Sequence, residues 1–217
     1  MLDKMTLSLA RTYYAGSGIE YDEDDVELYS YGLQTFLEPV IEIATVLIIS
    51  LLAGRFFETV AFLGAFCVLR FYAGGYHAKN FSRCFMGLLV VYGLLLSTLN
   101  LAPLTAMLMY QLSLVIVVIS IVPILRYAPV AHINKPIGPI TRKQFRKRSI
   151  VILATEALII VGASVYGIAI HHAGYSIAGI IPYILLSFAV GLLTASGSLV
   201  TAVLAGKPTY EPHFSQH

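Results

Sequence analysis

The chain has 217 residues, 58% of them hydrophobic and 12% charged, with a formal net charge of +2 and a mean hydropathy of +0.79. Soluble domains carry about 25% charged residues, and a water-soluble fold of this length cannot hide so much apolar surface, so that class is excluded. Two cysteines exclude a disulfide-stapled scaffold.

The first 32 residues differ in kind from the rest. Leu2, Met5, Leu7, Leu9 and Ala10 are interleaved with Lys4 and Arg11, and an acidic run follows through Glu20, Asp22, Glu23, Asp24, Asp25 and Glu27. No uninterrupted apolar core follows the start, which argues against a signal peptide. The pattern predicts an interfacial amphipathic helix, then a second helix started by Asp22–Asp25 and leading into the first membrane span. The acidic run reads as a solvated face or, alternatively, as a rim that pairs with basic residues further on.

Six spans follow, at about 37–53, 57–73, 84–99, 104–125, 150–170 and 177–199. Cys84 to Leu125 gives 42 consecutive residues without Asp, Glu, Lys or Arg; about 20 suffice to cross the hydrocarbon, so this stretch holds two spans turning at Asn100–Pro103. The runs lack the apolar/polar alternation of a membrane barrel. The predicted fold is therefore all-α, a polytopic integral membrane protein of six transmembrane helices preceded by an N-terminal amphipathic helical segment. The expected divisions are 1–32, a membrane domain 33–206 and a tail 207–217.

Charge placement orients the bundle. Arg126, Lys135, Arg142, Lys143, Arg146, Lys147 and Arg148 fall between the fourth and fifth spans with no acid among them, and the positive-inside rule puts that loop, 126–148, in the cytoplasm. Counting spans from it places both termini and the segment 70–84 on the same side. A basic cluster between spans reads as a topology determinant or a binder of anionic lipid and acidic peptide rather than of nucleic acid. Glu38 and Glu42 share one face of the first span, and buried acids in a membrane seek partners. Arg70 is the expected one, with Glu38 nearer its level.

Segment 70–84 gathers Arg70, Gly74, Gly75, His77, Lys79, Asn80, Ser82, Arg83 and Cys84 between apolar runs. Nearby cations and a helix start favour a thiolate at Cys84, although a small interfacial cysteine is the plain alternative; Cys67, inside the second span, reads as packing. A Cys–His pair needs the two groups within about 3 Å, whereas residues seven apart in a helix are separated by about 10.5 Å. The chain must therefore turn back between His77 and Cys84, and Gly74–Gly75 with Asn80 and Ser82 supplies the break before the third span. Asn80 and Ser82 are candidates to orient His77, to donate to an oxyanion, or simply to cap the third span; Glu38 is a further orienting candidate.

Arg70 with Gly74-Gly75-Tyr76-His77-Ala78-Lys79-Asn80 and then Cys84 resembles the signature of the accessory gene regulator B family, bacterial membrane endopeptidases that mature quorum-sensing propeptides. Tyr127-Ala128-Pro129 and Asn134-Lys135-Pro136-Ile137 resemble a second family segment, and length, span number and basic central loop agree over essentially the whole chain. The resemblance implies His77 as base and Cys84 as nucleophile in a cysteine endopeptidase. Its substrate would be a small propeptide with an amphipathic leader and an acidic C-terminal tail, cut through a Cys84 thioester and closed to a thiolactone or lactone. Arg70, Gly74, Gly75, Lys79 and Lys135 would support the site or substrate. Arg126, Arg142, Lys143, Arg146, Lys147 and Arg148 would attract the tail. A homodimer in the bacterial cell membrane is the family expectation.

No cofactor is implied. His171-His172 lacks the acid or cysteine that would complete a metal site, and no Gly-rich loop suggests nucleotide binding. The Gly and Ser residues of 162–197 read as close-packing positions between membrane helices. The rival reading, from another functional class, is a small peptide transporter or membrane adaptor without proteolytic activity; the chain has no convincing inverted repeat to support it.

Overall fold

The computed structural model describes residues 2–75, 81–102, 104–130, 138–173, 175 and 179–205. These form seven helices: α1 (Leu2–Ser17), α2 (Glu23–Leu52), α3 (Phe56–Ala73), α4 (Phe81–Leu101), α5 (Ala106–Tyr127), α6 (Pro139–His172) and α7 (Ile181–Leu204). No strand occurs among the described residues. All but α1 are long and apolar enough to cross a membrane. The protein is an all-α, multi-pass membrane protein.

The helices are longer than the apolar runs that announce them, because a helix needs hydrogen bonds and the bilayer needs greasiness. The first span is the second half of α2, which starts at Glu23 without a break. Residues 139–148, expected as part of a basic loop, are the first turns of α6. On α4, Phe81 stacks on Phe85 with ring centroids 5.5 Å apart, an i,i+4 contact that winds the helix three residues before Cys84. The sixth span starts later than hydropathy indicates, at Ile181, because Pro182 near the helix start is favoured there and has no amide hydrogen to satisfy.

The chain divides into two compact units, Met1–Ile48 and Ile49–His217. In the first, α1 lies antiparallel to the start of α2. Asp22 and Asp25 cap α2 reciprocally: the Asp25 amide donates to Asp22 Oδ1 at 2.8 Å and the Asp22 amide to Asp25 Oδ2 at 3.3 Å, which satisfies amides a helix start otherwise leaves free. Thr6 and Ala10 of α1 and Val26 and Ser30 of α2 are buried, one helical turn apart in each pair. Ser30 Oγ and Gln34 Nε2 both donate to Thr6 Oγ1 at 3.0 Å. Outside this seam Arg11 pairs with Glu23 at 3.0 Å and Tyr13 stacks on Tyr29 at 4.9 Å.

In the second unit α7 is the hub: it packs on α3, α4, α5 and α6, and α6 packs in turn on α3 and α5. Half of the membrane-length segment of α7 is buried, against less than a quarter of α4. Small residues allow the close approach. A Cβ on Gly191 of α7 would run into the backbone carbonyl of Phe62 on α3, and one on Gly167 of α6 into the Tyr110 ring on α5. Gly162 and Gly197, by contrast, face open space, so only part of the expected glycine packing is realised.

Candidate active site

The apolar run of α3 stops at Ala73 because the next two residues adopt conformations that glycine alone takes readily. Gly74 caps the helix with φ 75° and donates its amide to the Arg70 carbonyl at 2.9 Å; Gly75 follows with φ 153°. Both glycines are also pressed against other elements. Val130, just beyond α5, donates its amide to the Ala73 carbonyl at 3.0 Å and forms a parallel bridge with Gly74. A Cβ on Gly74 would collide with the Val130 carbonyl oxygen, and one on Gly75 with the Ser198 hydroxyl of α7. The Gly-Gly motif thus meets the chain that follows Tyr127-Ala128-Pro129, bringing together two segments some fifty residues apart in sequence.

Arg70 and Cys84 face each other across this break. Arg70 lies on the last turn of α3, with its guanidinium over the Phe66 ring, 5.3 Å from the centroid. It directs Nη2 at Cys84 Sγ, 4.0 Å away and partly buried. A fixed cation against a half-buried sulfur stabilises negative charge on it. Cys84 is the fourth residue of α4 rather than its first, so the helix N-terminus acts on it less than its position at a span start implies, since that field fades within one turn. Among the described residues, Arg70 brings a cation beside the sulfur.

The remaining candidates distribute unevenly. His77, Lys79, Asn80 and Lys135 lie outside the described residues. Ser82 is exposed on α4 while Cys84 is half-buried, and two residues apart on a helix do not face each other. Glu38 and Glu42 are half-buried on α2. Arg126 is exposed at the end of α5, its guanidinium 5.8 Å from the Tyr127 ring. Arg142, Lys143, Arg146, Lys147 and Arg148 are exposed on the first turns of α6. Arg148 sits over the Tyr72 ring at 5.4 Å, and Phe145 meets the same ring edge-on at 5.8 Å. Because Tyr72 lies two residues beyond Arg70, the basic start of α6 is anchored beside the break that carries Gly74 and Gly75.

Sequence reasoning did not single out Val130, Ser198, Phe66 or Tyr72, which shape this site. A backbone carbonyl and a serine wall leave no motif. The only sequence signal was indirect: two adjacent glycines at a helix end demand that something come close.

The sequence profile described as "Accessory gene regulator B" matches residues 4–194. The chain belongs to the accessory gene regulator B family. It is 28% identical over 165 residues to "Putative AgrB-like protein 2" of Clostridium perfringens (strain 13 / Type A), covering 75% of this chain and 76% of that protein. It is also 28% identical over 147 residues to "Putative AgrB-like protein" of Clostridium perfringens (strain SM101 / Type A), covering 66% and 69%. No solved structure matches it. As a family member with six membrane-crossing helices, it is placed in a membrane-embedded peptide-processing role.

Proposed function

We propose that this protein is a cysteine endopeptidase of the bacterial cell membrane that removes the acidic C-terminal tail of a small quorum-sensing propeptide and closes the remainder into a ring. The observation that carries the reading is the Arg70 guanidinium 4.0 Å from Cys84 Sγ, at the junction from which the His77 segment departs.

His77 takes the proton of Cys84, and the sulfur attacks the carbonyl carbon between signal and tail. The C–N bond breaks, the proton passes to the leaving amine, and the signal peptide remains as a thioester on Cys84. An internal thiol or hydroxyl of the substrate then attacks that thioester, releasing the Cys84 thiol and forming a thiolactone or lactone. A thioester retains acyl activation, so ring closure needs no outside energy source, whereas condensation of a free carboxylate would. Arg70 stabilises the sulfur's negative charge before attack and when it leaves. Asn80 and Ser82 are candidates to orient His77, and Asn80 to donate to the oxyanion.

The site and both termini face the cytoplasm in this reading, on the strength of the positive-inside rule. The basic first turns of α6 draw in the acidic tail or anionic lipid, and an amphipathic leader lying in the same surface raises the local substrate concentration. A homodimer is the proposed assembly.

The test is reconstitution of the purified protein with acidic-tailed propeptides, followed by mass spectrometry for released tail and for an acyl adduct on Cys84. Cys84→Ala should abolish both, and His77→Ala should abolish cleavage while leaving binding intact. Normal cleavage by Cys84→Ala would remove the proposed nucleophile. Peptide transport undiminished by either substitution would favour a transporter.

A further inference from the structure

Helix α4 carries Cys84 near one end and is poorly enclosed. Its buried stripe, Leu88, Tyr92, Leu95 and Leu99, faces the bundle, while Met86, Val90, Leu94 and Leu101 are exposed. In a bilayer such a helix has little to fix its height. Lipid tails solvate leucine as well as a neighbouring helix does, so the burial of apolar side chains by itself favours one axial register only weakly. A slip of one turn would carry Cys84 about 5.4 Å along the axis, out of reach of Arg70.

Polar ties to α3 supply that register. At the end remote from Cys84, Arg55, the residue preceding α3, donates from Nε to Asn100 Oδ1 and from Nη2 to the Leu99 carbonyl, both at 3.0 Å. Its third arm, Nη1, pairs with buried Glu58 at 2.9 Å, and its guanidinium lies over the Tyr183 ring of α7 at 4.9 Å. Arg55 is therefore itself anchored to α3 and α7. At mid-helix the Tyr92 hydroxyl and Thr59 Oγ1 share a buried hydrogen bond of 2.7 Å, and the Tyr92 ring meets Phe62 at 5.9 Å. Fifteen residues separate Arg55 from Arg70, and fifteen separate Leu99 from Cys84. The ties at Arg55 and Arg70 thus obey one antiparallel register over about 22 Å of helix, with the Tyr92–Thr59 bond between them.

We infer that Tyr92, Thr59 and Arg55 are positioning residues that set the height of α4 and so hold Cys84 opposite Arg70. The inference rests on the reading of Cys84 as nucleophile. The three residues touch neither substrate nor sulfur, and act through α4. Thr59 and Tyr92 place two hydroxyls face to face in the bundle interior, and although Thr59 Oγ1 also bonds the Arg55 carbonyl of its own helix at 2.7 Å, a slipped α4 loses the bond between the two helices.

The test uses the full-length protein in a Cys67→Ala background, reading two quantities: propeptide kcat and KM, and the rate at which iodoacetamide alkylates Cys84. Thr59→Val and Tyr92→Phe should each lower kcat and the alkylation rate about fivefold, the scale of one hydrogen bond, with KM little changed. Thr59→Ser, which keeps the hydroxyl, should restore both. Asn100→Ala, at an exposed position that leaves folding intact, should move both readouts the same way. Ser113→Ala, which removes a hydrogen bond internal to α5, should move neither. Parent values of kcat and alkylation in Thr59→Val, Tyr92→Phe and Asn100→Ala would overturn the inference, as would a loss that Thr59→Ser fails to rescue. Alkylation does not depend on proteolysis, so cleavage surviving in Cys84→Ala would sink the mechanism while the register remained measurable.

Discussion

Arg70 holds its guanidinium over the Phe66 ring, with Nη2 4.0 Å from the sulfur of Cys84. A cation carried by one helix is thereby aimed at a thiol carried by the next. Neutralising it should cost the proposed nucleophile its electrostatic support. Arg70→Gln is expected to lower kcat/KM for propeptide cleavage by roughly ten- to hundredfold, the scale of a charge-assisted contact. Arg70→Lys should fall between, because an ammonium keeps the charge and loses the flat face that stacks on Phe66. Cleavage by Arg70→Gln at the parent rate would show that the charge plays no part.

Gly75 faces the Ser198 hydroxyl directly. Gly75→Ala should destabilise the protein by about 1–3 kcal/mol through overpacking and an unfavourable φ, and Ser198→Gly in the same chain should recover the steric share only. Gly74→Ala has no such remedy, since its Cβ meets the Val130 backbone. Thermal unfolding in detergent, read by helical circular dichroism, distinguishes the three variants. Equal melting of the Gly75→Ala chain with and without Ser198→Gly would contradict the close approach.

The exposed cations at the start of α6 should act on association. Changing Arg142, Lys143, Arg146 and Lys147 together to Gln, and keeping Arg148 on Tyr72, is expected to raise KM for an acidic-tailed propeptide roughly tenfold at low salt, with kcat retained. The difference should shrink in 1 M salt, where screening operates over about 3 Å. A propeptide with a neutralised tail should respond to neither change; an equal KM effect on it would exclude charge attraction as the cause.

Gly191 gives α7 its close approach to α3 at the Phe62 carbonyl. Gly191→Leu should force the two helices apart and lower the unfolding temperature more than the same change at Gly197, which faces open space. Comparable melting of the two variants would mean that the α3–α7 contact tolerates expansion.

Much of this architecture was legible in the chain itself. The Cys84–Leu125 run required two spans because a bilayer sets the length of a helix, and Gly74–Gly75 required a break because their neighbours in sequence could not turn as sharply. Asp22 and Asp25 announced the start of α2 by their capping chemistry. Helix ends were less legible. Hydropathy reports where the chain is greasy, whereas α2 and α6 continue well into polar sequence on backbone hydrogen bonds that leave no compositional trace.

The amino-acid sequence by itself determined the class of protein and the number of spans, because those follow from composition and the thickness of a membrane, and it named the candidate reactive residues through the chemistry of particular side chains. Only the tertiary structure decided which groups meet. It brought Val130 to Gly74, Ser198 to Gly75, Tyr92 to Thr59 and Arg70 to Cys84, residues whose separation along the chain carries no information about distance. Contacts between helices depend on rotation and height, and those are set by close packing and a few polar ties rather than by any local pattern.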